Sequence, residues 1–222
     1  MIALPVFLLL QAATPAGPAR PVDPAEKRFE ACTARIKTDA AAAVKEGESW
    51  SATGGGLPAR LCLGLAYVAQ ERWAPARIAF TQAAEQAEIQ RDGRAAGLWV
   101  QAANAALAGD DPAAARSDLD RALALPVLAD AMRGEAHLDR ARAGVALNDL
   151  PGARTDLDEA LKLVPKDPLG WLLSAALARR QGDRVRATRD LASARVLDPK
   201  APEIAEEATR IAAMPAPPVT GR

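Results

Sequence analysis

Residues 115–125 read ARSDLDRALAL, and residues 153–163 read ARTDLDEALKL. The second stretch begins 38 positions after the first and differs from it at only three places. Two further stretches obey the same rule, ARIAFTQAAEQ at 76–86 and ATRDLASARVL at 187–197. Each places an alanine, a large apolar residue four positions on, and a second alanine three beyond that. The sets are Ala76, Phe80, Ala83; Ala115, Leu119, Ala122; Ala153, Leu157, Ala160; and Ala187, Leu191, Ala194. Steps of four and three keep these side chains on one face of a helix. Small residues stand where a second helix approaches, and the large one fills the gap between them.

A further apolar helical segment precedes each of these helices, joined to it by a short polar turn: QERWAP (70–75), AGDDPA (108–113), LNDLPG (147–152) and RQGDRV (181–186). Each unit is therefore a helical hairpin. The units recur at intervals of 39, 38 and 34 residues, which points to stacked helix pairs, each burying its neighbour's apolar face.

On these residues the chain resembles the tetratricopeptide repeat over roughly residues 57–201. The first helix of unit one carries Leu63, Gly64 and Tyr67, and its second helix carries Ala76, Phe80 and Ala83. Units three and four end in ALKLVPKDP (160–168) and ARVLDPKAP (194–202), as the family's proline-terminated turns do. Two departures stand out. Arg72 occupies the place given to the family's turn glycine, and the additional residues around QRDGRA (90–95) and PVLADA (126–131) predict lengthened helices. The resemblance implies an all-α, right-handed superhelical stack of about four units. Residues 25–56 read as a degenerate N-terminal hairpin, with Asp39 capping its second helix. Residues 202–214 read as a cap helix, with Ile204, Ala208 and Ile211 inward and Glu203, Glu206, Glu207 and Arg210 outward, and residues 215–222 as a disordered tail.

In this family the first helices line the concave side, where a ligand peptide usually lies. The matching positions are Leu61, Leu65 and Val68; Val100, Asn104 and Leu107; Leu138, Arg142 and Val145; and Leu172, Arg179 and Arg180. They imply a largely apolar groove with a few polar anchors, although some of them can instead pack between adjacent first helices. Asn104 matches an asparagine that family members use to hold peptide backbone or a terminal carboxylate. The lysines that complete such a clamp are missing, so an amphipathic helix or extended hydrophobic segment is the expected ligand.

Composition agrees with this reading. Half of the 222 residues are hydrophobic but only 4% are aromatic, which favours closely packed alanine-rich helices over a sandwich or barrel. Twenty-eight basic residues balance 28 acidic ones, so neither nucleic acid nor an anionic membrane is expected as the main partner. Residues 1–16 carry an apolar run from Ile2 to Leu10 followed by small residues, as a secretory signal peptide does, and a proline-rich linker follows at 17–24. That run is shorter than the roughly 20 apolar residues of a spanning helix. The expected location is therefore the periplasm, with an uncleaved N-terminal anchor or a cytoplasmic protein as alternatives. Cys32 and Cys62 are the sole cysteines, and in an exported chain they read first as one disulfide. They fall near the middle of consecutive first helices, which are side-by-side neighbours in such a stack. Two buried free thiols are the alternative.

No constellation supports catalysis, a cofactor or a metal. GGG at 54–56 lacks the Lys-Ser or Lys-Thr of a phosphate loop and reads as a connection. Within each DLD, Asp118 with Asp120 and Asp156 with Asp158, residues two apart diverge on a helix. The expectation is solvated faces with Arg116–Asp120 and Arg154–Asp158 pairs. His137, the only histidine, matches Trp99 and Trp171 in register and reads as a packed residue. The function implied is a non-enzymatic adaptor of the bacterial envelope with a protein or peptide partner and no small-molecule substrate. A self-assembling homo-oligomeric subunit is the alternative.

Overall fold

A computed structural model describes residues 23–215, so residues 1–16, most of the 17–24 linker and all but the first residue of the tail lie outside the described residues. The described residues form eleven helices and no strand. Five hairpins follow in order: α1 (Pro24–Thr38) with α2 (Ala40–Ala52), α3 (Gly56–Ala69) with α4 (Trp73–Ile89), α5 (Ala95–Ala108) with α6 (Pro112–Ala124), α7 (Asp130–Ala146) with α8 (Leu150–Leu163), and α9 (Pro168–Arg180) with α10 (Arg184–Leu197). A single helix, α11 (Pro202–Ala212), closes the stack. Each second helix packs against its own first helix and against the first helix of the next unit. The result is a helical repeat stack.

The four repeat units turn in one way. The second residue after each first helix adopts a left-handed conformation: Glu71 at φ 55°, Asp110 at 58°, Asn148 at 59° and Gly182 at 80°. The next backbone N–H then reaches back to a carbonyl five residues earlier, as Asp149 does to Gly144 at 2.8 Å and Asp183 to Ala178 at 2.9 Å. Asp111, Asp149 and Asp183 cap the second helix by accepting a hydrogen bond from the N–H three residues on. This corrects the placement of Arg72. It stands at the capping position without a side-chain cap, and Glu71 occupies the turn position that unit four gives to glycine. The additional residues lengthen α4 and α7, each 17 residues, against 13 in α6 and 14 in α8. The segments 90–94 and 125–129 themselves remain connections.

One contact recurs in every unit. Twelve residues before each leading alanine of a second helix stands a small residue of the first helix, Gly64, Ala103, Ala141 or Ala175. It sits among the buried residues into which Phe80, Leu119, Leu157 or Leu191 projects. Unit one alone uses phenylalanine, and it alone uses glycine. A Cβ built on Gly64 would lie 2.6 Å from the Phe80 ring, closer than atoms can pack. The two positions compensate in volume.

The reading of the DLD pairs is corrected. Their first aspartates are buried, Asp118 at 2% exposure and Asp156 at 6%, and Asp190 of unit four is fully buried. Arg77 of α4 donates to Asp118 from Nε at 2.7 Å and Nη2 at 3.0 Å, tying successive second helices together. Arg140 forks onto Asp156, from Nε at 3.0 Å and Nη2 at 2.6 Å, and His137 Nδ1 lies 2.9 Å from the same carboxylate. Burial pushes the Asp156 carboxyl up, but the hydrogen bonds from His137 and Arg140 outweigh it and hold the group below the usual carboxylate range. Asp190 accepts from Ser174 Oγ at 2.6 Å and Arg189 Nε at 2.9 Å. Arg116 reaches Asp149 of the next unit rather than Asp120, whereas Arg154 does lie near Asp158, at 3.6 Å. Glu207 is corrected as well. It faces inward from α11 at 2% exposure and takes Arg179 Nε at 2.6 Å.

Asp39 caps α2 as expected, accepting from the Ala42 N–H at 2.9 Å. Cys32 of α1 and Cys62 of α3 are both fully buried beside Trp50 and Ala59, with Cα atoms 6.0 Å apart, the separation a disulfide spans.

Two measurements follow. Gly64→Ala is expected to cost about 1–2 kcal/mol in urea denaturation, because the Phe80 ring must shift to admit the methyl group. In a Phe80→Leu background the same change is expected to stabilise by up to about 1 kcal/mol, the helix-propensity gain alone. An equal effect in both backgrounds would refute the volume pairing. Reduction of the Cys32–Cys62 pair, which closes a 30-residue separation, is expected to cost about 3–4 kcal/mol. Amide exchange should rise first in residues 25–62, and unchanged exchange there on reduction would count against a cross-link.

Candidate functional site

The face made by the first helices holds two hollows built at the same register. Counting from the small residue of each first helix, the wall facing the next unit carries the first and fourth residues after it. The opposite wall carries residues two before, one after and two after. Between α3 and α5 these are Leu65 and Val68 facing Gln101, Asn104 and Ala105, with Phe80 as floor and Trp73 at one end, around a cavity of about 220 Å³. Between α7 and α9 they are Arg142 and Val145 facing Leu173, Ala176 and Leu177, with Leu157 as floor, again about 220 Å³. Arg180 joins the second hollow from the end of α9.

The hollows exist because each floor is one large side chain packed down into a small-residue notch, while the rims stand on separate helices. Between them lies Asp139 of α7, half-buried, with Arg142 Nη1 at 3.0 Å. Burial raises the Asp139 carboxyl above its usual range, and Arg142 only partly offsets this. The two hollows differ in furnishing. Amides rim the first, guanidiniums the second, and Arg180 meets no carboxylate among the described residues.

Of the positions inferred from the resemblance, Leu65, Val68 and Asn104 line the first hollow, and Arg142, Val145 and Arg180 line the second. The other six do something else. Val100 and Leu138 are buried, at 8% and 4% exposure, in the packing between helices. Leu107 and Leu61 are half-buried against the core of units one to three, with Leu61 also edging a depression beside Phe29 and Pro58. Leu172 faces Pro168 and Ile204 at the junction with α11, and Arg179 is spent on Glu207. Four of the six, Leu61, Val100, Leu138 and Leu172, stand three before the small residue and turn toward the packing between helices, whereas Leu107 and Arg179 stand four after it and are taken up by the core and by Glu207.

Trp73, Gln101, Leu173, Ala176 and Leu177 line the hollows without having been anticipated. Register alone flags Ala176, which stands one after Ala175 just as Arg142 follows Ala141 and Asn104 follows Ala103. No metal-binding cluster of His, Cys, Asp and Glu occurs among the described residues, and no helix among them is long and apolar enough to cross a membrane.

This arrangement is the tetratricopeptide-repeat fold. No protein-family model and no curated protein sequence matches the chain, so the fold rests on structure. YrrB, described as a TPR protein with an unusual peptide-binding site, superposes with a TM-score of 0.59 at 17% identity, over 83% of this chain and 99% of that one. The Cut9–Hcn1 hetero-tetramer of APC/C gives 0.50 at 13% identity, over 84% of this chain and 42% of that one.

Leu138→Glu is expected to lower stability by roughly 3–5 kcal/mol, since it places an unpaired carboxylate in the core. Val145→Glu, on the rim beside Arg142 and Arg180, is expected to shift it by no more than about 1 kcal/mol. Thermal melts of the two variants separate core from groove, and similar losses would refute the assignment.

Proposed function

We propose that this chain is a non-enzymatic scaffold that binds a protein partner as a peptide or helix along its first-helix face. The observation that carries this is the pair of equivalent hollows, apolar at the floor and polar at the rim, opening on one side of a rigid stack. Cavities of about 220 Å³ suit single aliphatic side chains better than a whole small-molecule substrate. The groups that chemistry would need are occupied by the fold. His137 holds Asp156, Ser174 donates to Asp190, and both cysteines lie fully buried against each other. That YrrB is described with a peptide-binding site fits the same reading.

The partner is proposed to lie in the bacterial cell envelope, with the protein exported to the periplasm. The support is the apolar run and small residues of 1–16, together with a cysteine pair positioned for oxidation. An oxidised Cys32–Cys62 bond would staple the N-terminal hairpin to the array, since an end unit has a neighbour on one side only.

The test is photo-cross-linking in cells, with the cross-linker at Leu173 inside the second hollow or at Val185, which is 81% exposed on α10. A heterologous adduct is expected at Leu173, absent at Val185, and lost when Val145→Glu and Leu65→Glu are added. Adducts of the chain with itself alone would replace the scaffold with a homo-oligomeric subunit. Equal adducts at both positions would remove the groove from the mechanism.

A further inference from the structure

The two hollows share five wall positions and a floor position, so they receive the same kind of group, an aliphatic side chain. Their rims differ in chemistry. At the first, the Gln101 and Asn104 amides stand one helical turn apart on α5 and are able both to donate and to accept. Such a pair suits the N–H and C=O groups of an extended backbone, which a helical ligand would already have satisfied internally. At the second, Arg142 on α7 and Arg180 on α9 face each other across an apolar floor. The one carboxylate that Arg142 meets, Asp139, is itself disfavoured by burial as an anion, and Arg180 meets none among the described residues. A carboxylate held at that rim would be bound from both walls.

The hollows are two units apart. With neighbouring helices about 8–10 Å apart, their centres lie on the order of 20 Å from each other. An extended chain covers that span in about six residues at about 3.3 Å each, whereas a helix needs about thirteen at 1.5 Å.

We propose that this face reads one extended segment carrying two aliphatic anchors about six residues apart, with an Asp or Glu two residues from the anchor that enters the α7–α9 hollow, on the same side of the strand. This rests on the scaffold reading above and names its ligand class. The carboxylate belongs to a side chain rather than a chain end, because the floor between the arginines is apolar and admits the anchor, leaving the charge at the rim two residues away, where an extended chain next points to the same face.

The experiment is selection of a display library of random twelve-residue peptides on the full-length protein. Parallel selections use Arg180→Glu and a variant with both hollows blocked, Leu65→Gln with Ala176→Leu. Folding of each is verified by circular dichroism. The expected result is enrichment on wild type of two aliphatic positions about six apart with an acidic residue two positions from one of them. On Arg180→Glu that acidic preference should reverse to Lys or Arg, and a synthetic wild-type hit should bind this variant at least about tenfold more weakly, whether its C-terminus is free or amidated. Hits lost on the blocked variant but showing one anchor, no acidic preference, or dependence on a free C-terminus would overturn this ligand class and leave the groove reading standing. Absence of enrichment, or equal enrichment on the blocked variant, would overturn both.

Discussion

The structure depends on one steric fit, a large side chain of each second helix seated against a small residue of the first. Leu119, Leu157 and Leu191 meet Ala103, Ala141 and Ala175, and Phe80 meets Gly64. Each fit sets how closely the helices of a hairpin approach, and the same helices must then meet the next unit. The spacing of the whole stack, including the hollows between first helices, is inherited from it. The Phe80–Gly64 exchange shows that total volume is the constraint, not the identity of either residue.

Alanine-rich interfaces bury little area per residue, so apolar burial alone gives each junction modest stability. Polar links supplement it. Arg77 on Asp118 and Arg186 on Asp158 join successive second helices, Arg154 donates to Ser174 of the next first helix, and Arg179 fastens the cap through Glu207. Buried acids of this kind add directional demands more surely than net stability, because each desolvated carboxylate costs what its guanidinium returns. They define which helix faces which. The even balance of 28 basic and 28 acidic residues thus reflects in part an internal lattice of pairs.

The first-helix face is where this lattice is thinnest. Between α3 and α5, and between α7 and α9, the rims carry amides, aliphatic groups and two arginines, one of which, Arg142, pairs with Asp139 on its own helix. The second-helix layer packs behind this face and supplies the floor of each hollow, Phe80 and Leu157.

The repeat, its hairpins and its turns were legible in the sequence because each is a local rule. The four-and-three spacing of Ala and Leu, the Asp39 cap, the polar turns and the ending prolines all act within one or two helical turns. Six of the twelve inferred positions do line the two hollows, since register from Gly64, Ala103, Ala141 and Ala175 carries Leu65, Val68, Asn104, Arg142, Val145 and, at the end of α9, Arg180 to one face. The remaining six were decided by tertiary structure. Leu138 and Val100 are apolar in either setting, and only the packing of neighbouring helices puts them inside. The same holds for Asp118, Asp156, Asp190 and Glu207. Their sequence neighbourhoods look like solvated helix faces, and each is met by a partner from another helix, Arg77 at 41 residues for Asp118, Arg140 at 16 for Asp156, Ser174 at 16 for Asp190 and Arg179 at 28 for Glu207. A periodic pattern states which residues share a face; whether that face meets water, a neighbouring helix or a partner depends on distances the chain acquires only when its units stack.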